Sequence, residues 1–537
     1  MKRRDFLKLA ATASLAGCSE RLPWQAPPLN IHMPGMVLGH RLRDRLPTPN
    51  PTRERTVEVA ILGSGVAGLF AGWRLAQAGF KDFCLLGGPE PFGNAAGSVA
   101  GGIACPTGAH YLPLPSMEST HVREMLAEFG VLRGDPHSLR PEYDERALVH
   151  APDERLFIDG VWQEGLVPQQ GVSTADQGQI QRFFAEIARL REARGKDGRR
   201  AFVIPLALSS ADPAFTALAA ETFAVWLSRQ GFTAAPLRWY VDYCCRDDYG
   251  AGIEQVSAWA GLHYFASRGG HAANAEDGAV LTWPDGLQSL AQGLRTRIGA
   301  ERGVEGMALR VREHKAGVEV LCFDAAKNEA FTLHAKRVIV AMPLHVAAHV
   351  VENLADFGFD KARDLPASAS WLVSNFLLNR FPDETDPLQP LAWDNVVYGG
   401  KGLGWIVATH QWIRQAKPAQ TVFTAYHALD NMPPQAMRAW LTNARPDELL
   451  ALAQSDLKSA YGRGFARHAQ QVDITVRGHA MATPTPGFLA RPGIAALRAA
   501  DRRIQFAHAD LSGLSVFEEA AWWGEQAARR ILGACRT

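Results

Sequence analysis

Residues 56–86 read TVEVAILGSGVAGLFAGWRLAQAGFKDFCLL, and this stretch decides the fold. Thr56 to Leu62 is apolar and β-branched with no breaker, the pattern of a strand. It runs into Gly63-Ser64-Gly65-Val66-Ala67-Gly68. Leu69 to Ala78 then carries apolar residues at helical spacing and stops at Gly79, a C-cap. Phe83 to Leu86 reads as a second strand. A GxGxxG string alone is weak, but strand, glycine turn, helix and strand within about thirty residues is the context that dinucleotide binding requires. Gly63 permits the tight turn, Gly65 lets the backbone approach a diphosphate, and Gly68 lets the helix pack closely on the strand. The free N–H groups at the helix start, at the positive end of its dipole, hold the phosphates. One departure stands out. An acid is expected at the end of the second strand to bind a ribose hydroxyl, and Gly87 occupies that place; Glu90, in the following loop, is the candidate substitute.

Working outward, the chain of 537 residues has room for two or three domains, and its net charge of +1 gives no sign of a nucleic-acid surface. Apolar residues make up 47% and charged residues 21%, as in an ordinary globular protein with a large core. No internal run of 18 or more apolar residues suggests a membrane-spanning helix. The seven cysteines form no CxxC and have no histidine at zinc-site spacing, so no metal is expected. Cys84 and Cys322 sit in strand-like apolar runs and read as buried, inert thiols. A Cys244–Cys245 vicinal disulfide is disfavoured by its geometry.

Further segments add to the nucleotide motif. Leu281 to Leu294 reads as a turn at Gly286 into a helix. Gly306–Val311 and Gly317–Phe323 read as antiparallel strands leading to Ala335–Pro343, a strand ending at Met342-Pro343. Near the C-terminus, Arg503 to Asp510 is followed by Ser515-Val-Phe-Glu518 and a long amphipathic run to Leu532. Ser515 and Glu518 form an S-x-x-E capping box, which would aim a helix N-terminus at any group placed before it.

In this order the motifs resemble the flavin-containing amine oxidase superfamily, related to phytoene desaturases and protoporphyrinogen oxidases. The resemblance covers most of 56–345 and 475–537, in pieces. It implies an α/β fold: a Rossmann-type FAD-binding domain with a discontinuous α+β substrate domain of mixed sheet and helices. The FAD-binding domain would comprise 56–115, 271–345 and 476–537, and the substrate domain 116–270 and 346–475. By position, the resemblance places the Ala308 backbone at the adenine edge and Asp510 at the ribityl or pyrophosphate region. It sets Phe517, Glu518, Glu519 and Ala520 against the flavin pyrimidine ring. The segment Gly101–Pro113, with His110, would be a turn passing the flavin.

The implied reaction is hydride removal from a carbon held against flavin N5, with FAD carrying the redox chemistry. A small-molecule amine, with a polyamine as the candidate, is the first reading of the substrate, and the fourteen tryptophans could supply a cage for a cation. Trp283, Trp371, Trp393, Trp405 and His410 are the candidates. Many members place a lysine in a substrate-domain strand near flavin N5; Trp371 to Phe376 has none, and Lys401 is a displaced replacement. The usual Gly-Glu of the C-terminal motif is His508-Ala509. Rival readings are a desaturase or oxidase of a hydrophobic substrate met at a membrane, and a flavoprotein without turnover serving a protein partner. Carboxylates and aromatics in the pocket would favour the amine; a long apolar tunnel would favour the first rival.

The N-terminus reads as an address. Lys2-Arg3-Arg4 precedes a short apolar run and Leu15-Ala16-Gly17-Cys18, so 1–18 resembles a twin-arginine signal fused to a lipobox. Cys18 would carry the lipid and anchor the protein on the periplasmic side of a bacterial membrane, having been exported already folded around its cofactor. Residues 19–55 hold seven prolines and little periodicity, and read as a spacer.

Overall fold

The computed structural model describes residues 27–384 and 388–534, apart from the side chain of Arg463. The export signal, Cys18 and Cys535 lie outside the described residues. The fold is α/β, built on two sheets. In chain order their strands are β1 (Leu29–His32), β2 (Pro51–Leu62), β3 (Phe83–Leu86), β4 (Glu154–Ile158) and β5 (Val161–Glu164). There follow β6 (Gly303–Val304), β7 (Met307–Glu313), β8 (Val318–Asp324), β9 (Glu329–Val340) and β10 (Ala367–Leu378). The last are β11 (Asp394–Val397), β12 (Trp405–Val407), β13 (Thr421–Leu429), β14 (Ala469–Thr483) and β15 (Ile504–Phe506). Five helices matter for the site: α1 (Met36–Arg43), α2 (Val66–Gln77), α3 (Ala235–Tyr249), α4 (Gln288–Ile298) and α5 (Phe517–Ala534).

The seven-stranded sheet runs β6-β3-β2-β9-β8-β7, with β15 beside β9. β3, β2, β9 and β15 are mutually parallel, as a βαβ crossover requires, and the antiparallel β7–β8 pair hangs from β9. Its central strands are buried on both faces: Val59 to Leu62 and Val338 to Val340 are 1% exposed or less, which is why they read as unbroken apolar runs. Helices α2, α4 and α5 pack together over this sheet. The eight-stranded mixed sheet runs β1-β14-β10-β13-β12-β11-β4-β5. One face of it carries Trp371, Val373, Tyr426 and Ala428 against α3 and its neighbours; the other carries Leu372, Trp405, Phe423 and Ala425, the alternation expected along strands.

The structure departs from the sequence reading in three places. Residues 29–55 are not a spacer: β1 pairs in parallel with Val472–Thr475 of β14, α1 follows a left-handed Gly35, and β2 already begins at Pro51. The prolines fall beside element ends or in the link between α1 and β2, where no ladder N–H is required, and only two alternating apolar residues, Leu29 and Ile31, carry β1. Phe215–Gln230, whose amphipathic spacing reads as one helix, is broken into short turns and a helix at Phe223–Arg229, because Thr222 caps a new start by accepting from the Val225 N–H (3.3 Å). Helix α5 begins at Phe517, so the Ser515–Glu518 capping box does not form. The Ser515 hydroxyl instead accepts from the Ala482 N–H of β14 (2.8 Å).

Cys84, Cys105, Cys244, Cys245 and Cys322 are buried free thiols, so Cys244 and Cys245 form no disulfide. Among the described residues no helix is long and apolar enough to cross a membrane, and no cluster of three metal-ligating side chains occurs.

Candidate functional site: a glycine cradle and an acidic, aromatic recess

The cradle is made of backbone. Gly63 has φ of 122°, and a Cβ there would lie 2.7 Å from the Ala341 carbonyl oxygen of the neighbouring strand end. A Cβ on Gly68 would come within 1.9 Å of the Gly63 carbonyl oxygen, so helix and turn can meet only through glycine. Gly65 is different: a Cβ there would meet nothing within 4 Å. Its lack of a side chain leaves open space in front of α2. No side chain caps that helix, and its first N–H groups have no acceptor within the helix. The Ser64 hydroxyl donates to the Gly87 carbonyl and ties the loop to the end of β3. This open, uncapped N-terminus fits a diphosphate.

Asp510 lies where Met342-Pro343 enters a short helix. Its Oδ2 accepts from the Leu344 N–H (2.9 Å), and His508 Nδ1 stands 3.3 Å from Oδ1. Burial works against its charge, but His508 and the Leu344 N–H outweigh it and hold the carboxyl at about 2. Ala308 is buried near the start of β7. Phe517 is buried and Ala520 half-buried against the core beneath the cradle. Glu519 is fully buried, accepting from the Leu206 N–H and from the Ser512 hydroxyl. Its carboxylate is spent on tying α5 to other loops and does not face a ligand. Burial pushes Glu518 up to about 7. Glu90, the proposed ribose ligand, is instead paired through both oxygens with Arg477 (2.9 Å each).

A second constellation comes from five distant segments. His110 stacks on Tyr426 of β13 (ring centroids 4.4 Å), with Tyr111 at 5.0 Å and Trp393 at 5.6 Å. The Tyr426 hydroxyl donates to the Gly108 carbonyl (3.1 Å), which fixes the 106–111 turn against the sheet. The Tyr111 hydroxyl donates to Asp247 of α3 (2.9 Å). Asp394 of β11 is the register partner of Glu154 of β4, so the two carboxylates sit side by side.

Burial, helped by Asp248, raises Asp247 to about 6. Burial, helped by Asp153, raises Glu154 to about 7. Burial, then Glu154 and Asp247, raises Asp394 well above the carboxylate range. Yet Asp247 and Asp394 are only half-buried, and Glu154 keeps much accessible surface. Groups that are surrounded by protein and still touch solvent line a recess. Among the described residues none of the three pairs with a cation, whereas the adjacent Asp248 is neutralised by Arg268 (2.5 Å). Burial lowers His110 to about 3, so its ring is neutral. A carboxylate cluster without an ion-pair partner is costly to bury, and aromatic faces beside it attract the same kind of ligand, a cation.

A family model for an NAD(P)-binding Rossmann-like domain matches residues 61–129. Comparison with curated protein sequences gives no match. Solved structures give several. Wild-type putrescine oxidase bound to putrescine superposes with a TM-score of 0.64 at 15% identity, over 89% of this chain and 100% of that one. Cyclohexylamine oxidase from Brevibacterium oxydans gives 0.59 at 16% identity, over 90% and 100%. A fatty acid isomerase from P. acnes also gives 0.59 at 16% identity, over 88% and 98%. The chain has the fold of these enzymes. That fold serves amines in two of them and a fatty acid in the third, so the chemistry must be argued from the recess.

The residues picked from the sequence fare unequally in this structure. Trp393 and His110 are in the recess wall, and Trp371 is on the same sheet face, its ring 6.3 Å from Tyr426. Trp405 is not in the site: it points to the opposite face and packs on Trp162 (6.0 Å) and Phe423 (6.2 Å). His410 is committed to the His150 carbonyl (2.6 Å), where it pins a loop. Lys401 is exposed, and its backbone, not its ammonium, is engaged, through Asp456 and Arg246. Trp283 packs against the core by the Gly286 turn. The sequence reading missed Asp247, Asp394, Glu154, Tyr111 and Tyr426. No local motif marks them; the one available signal was acids at solvent-shy positions, such as Asp247-Asp248 within a helix rich in aromatics.

Proposed function

We propose that this chain is an FAD-dependent oxidoreductase that oxidises a cationic amine, with a diamine or polyamine as its substrate class. The observation that carries the reading is the recess with three unpaired carboxylates, Asp247, Asp394 and Glu154, beside Tyr111, Trp393, Tyr426 and His110. The glycine turn Gly63–Gly68 and the uncapped start of α2 would hold the diphosphate, and Asp510 and the start of α5 would lie along the rest of the cofactor. Bound there, FAD supplies a two-electron acceptor for the substrate carbon.

The protein's part is positioning. The carboxylates, ionised by a bound cation, hold the distal ammonium; the aromatic walls exclude water and orient the chain of the substrate. The neutral His110 ring presents no competing charge in the recess. The test is anaerobic mixing of the FAD-loaded protein with putrescine, longer polyamines, monoamines and long-chain fatty acids. Loss of oxidised-flavin absorbance with diamines or polyamines supports the reading; bleaching by the apolar compounds alone would favour the hydrophobic-substrate rival, and bleaching only by a protein donor the partner role.

For the location of the protein, we propose twin-arginine export and lipid attachment at Cys18. The reading rests on Arg3-Arg4 and Leu15–Cys18 in the correct order. Mass spectrometry of membrane-bound protein, with and without Cys18→Ala, tests it: the variant should lose the acyl mass and leave the membrane.

A further inference from the structure

The end of β3 lacks the acid that usually meets the cofactor's adenosine ribose, and Glu90 is taken by Arg477. The neighbouring strand offers another carboxylate at the same level. β6 lies parallel to β3 with Gly303 opposite Leu85 and Val304 opposite Leu86. Continuing that register puts Glu305 opposite Gly87. Two backbone hydrogen bonds flank it: Gly87 N–H to the Val304 carbonyl (2.9 Å) and Gly88 N–H to the Gly306 carbonyl (2.8 Å). The Glu305 Oε2 lies 3.9 Å from the point a Cβ on Gly87 would occupy. Its carboxylate therefore reaches over the strand end into the space a side chain at 87 would enter. Glu305 is exposed, and among the described residues its carboxylate forms no ion pair.

We propose that Glu305 binds the adenosine ribose hydroxyls of the dinucleotide, one strand over from the usual position. The inference rests on the FAD reading above. Gly87 and Glu305 act as a complementary pair: the carboxylate has moved across the ladder, and glycine at 87 clears its path. The exchange is reversible in principle, because a side chain at 87 would meet no atom closer than 3.7 Å, and Gly87 is not in the left-handed region.

The test is titration of the FAD-free protein with FAD and, separately, with FMN, which lacks the adenosine ribose. Glu305→Gln should weaken FAD binding roughly tenfold, as expected for loss of a hydrogen bond to a charged group. Its FMN affinity and its thermal midpoint should stay at wild-type values. Gly87→Glu in the Glu305→Gln background should recover FAD affinity by restoring an acid at the strand end. Unchanged FAD affinity in Glu305→Gln, or an equal loss of FAD and FMN, overturns the proposal. Wild-type protein that takes up no FAD overturns the flavin reading itself, an outcome seen before any variant is made.

Discussion

The cradle and the recess solve opposite problems. The cradle offers an anion nothing but backbone: Gly63, Gly65 and Gly68 clear side chains from a helix start, and all its parts fall within six consecutive residues. The recess gathers carboxylates and rings from β4, α3, β11, β13 and the 106–111 turn, segments up to 318 residues apart along the chain, as the Tyr426–Gly108 bond shows. One is a local device that any sequence of the right spacing can encode. The other exists only when the eight-stranded sheet, α3 and the 106–111 turn are assembled. The lesson is that the cofactor is written into a motif, while the substrate is written into the packing.

The largest effect separates two glycines of one motif. Gly68→Ala drives a Cβ into the Gly63 carbonyl at 1.9 Å, backbone against backbone. The cost should be on the order of 3 kcal/mol or more, read as a large drop in thermal midpoint of the FAD-free protein. Gly65→Ala has open space, so the same melt should barely move while FAD affinity falls. Equal melting of the two variants would break the division between packing and ligand space within the cradle.

Next comes the recess. Asp394→Asn keeps size and removes charge, and should lower kcat/KM for a diamine by about tenfold to a hundredfold, chiefly through KM. A monoamine should be affected much less, and stability should hold or rise, because an unpaired acid has gone. An equal loss for both substrates would sever the recess from the distal ammonium.

A pH experiment sharpens the same point. Asp247 rises from 3.8 to about 6, and Glu154 from 4.5 to about 7, through burial first. In this window these two groups bind more protons in the folded state than in the unfolded chain, so their contribution to the stability of the substrate-free protein falls as pH rises from about 4 to about 7, while buried neutral histidines such as His110, lowered to about 3, contribute in the opposite sense. Urea unfolding across that range should therefore show stability rising more, or falling less, with pH in Asp247→Asn than in the unaltered protein, and an identical pH dependence in the two would contradict the raised Asp247 value.

The smallest effect concerns two tryptophans. Trp405→Phe should cost about 1–2 kcal/mol of stability through its lost packing, with KM unchanged. Trp393→Phe should raise KM for the amine a few-fold, with little change in stability. Exchange of these outcomes would mean that the two faces of the sheet had been confused.

These contrasts also explain what could be read from the sequence. The turn at 63–68, the βαβ unit and the strands of residues 306–343 were legible because local periodicity and glycine placement specify them. Trp405 and His410 looked as eligible as Trp393, because facing is decided by register: one residue's shift in a strand exchanges the two faces. Asp247, Asp394 and Glu154 carry no spacing signal, since what joins them is the β4–β11 pairing and the approach of α3. The N-terminal strand β1 was hidden by prolines that mark its ends.

The most direct test is calorimetric titration of the FAD-loaded protein with putrescine at about pH 5 and about pH 8, either side of the raised carboxyl values. Binding should be clearly tighter at the higher pH, where the recess acids are ionised and the diamine is still a dication. Absence of binding, or an affinity indifferent to pH, would contradict an acidic recess that recognises amines.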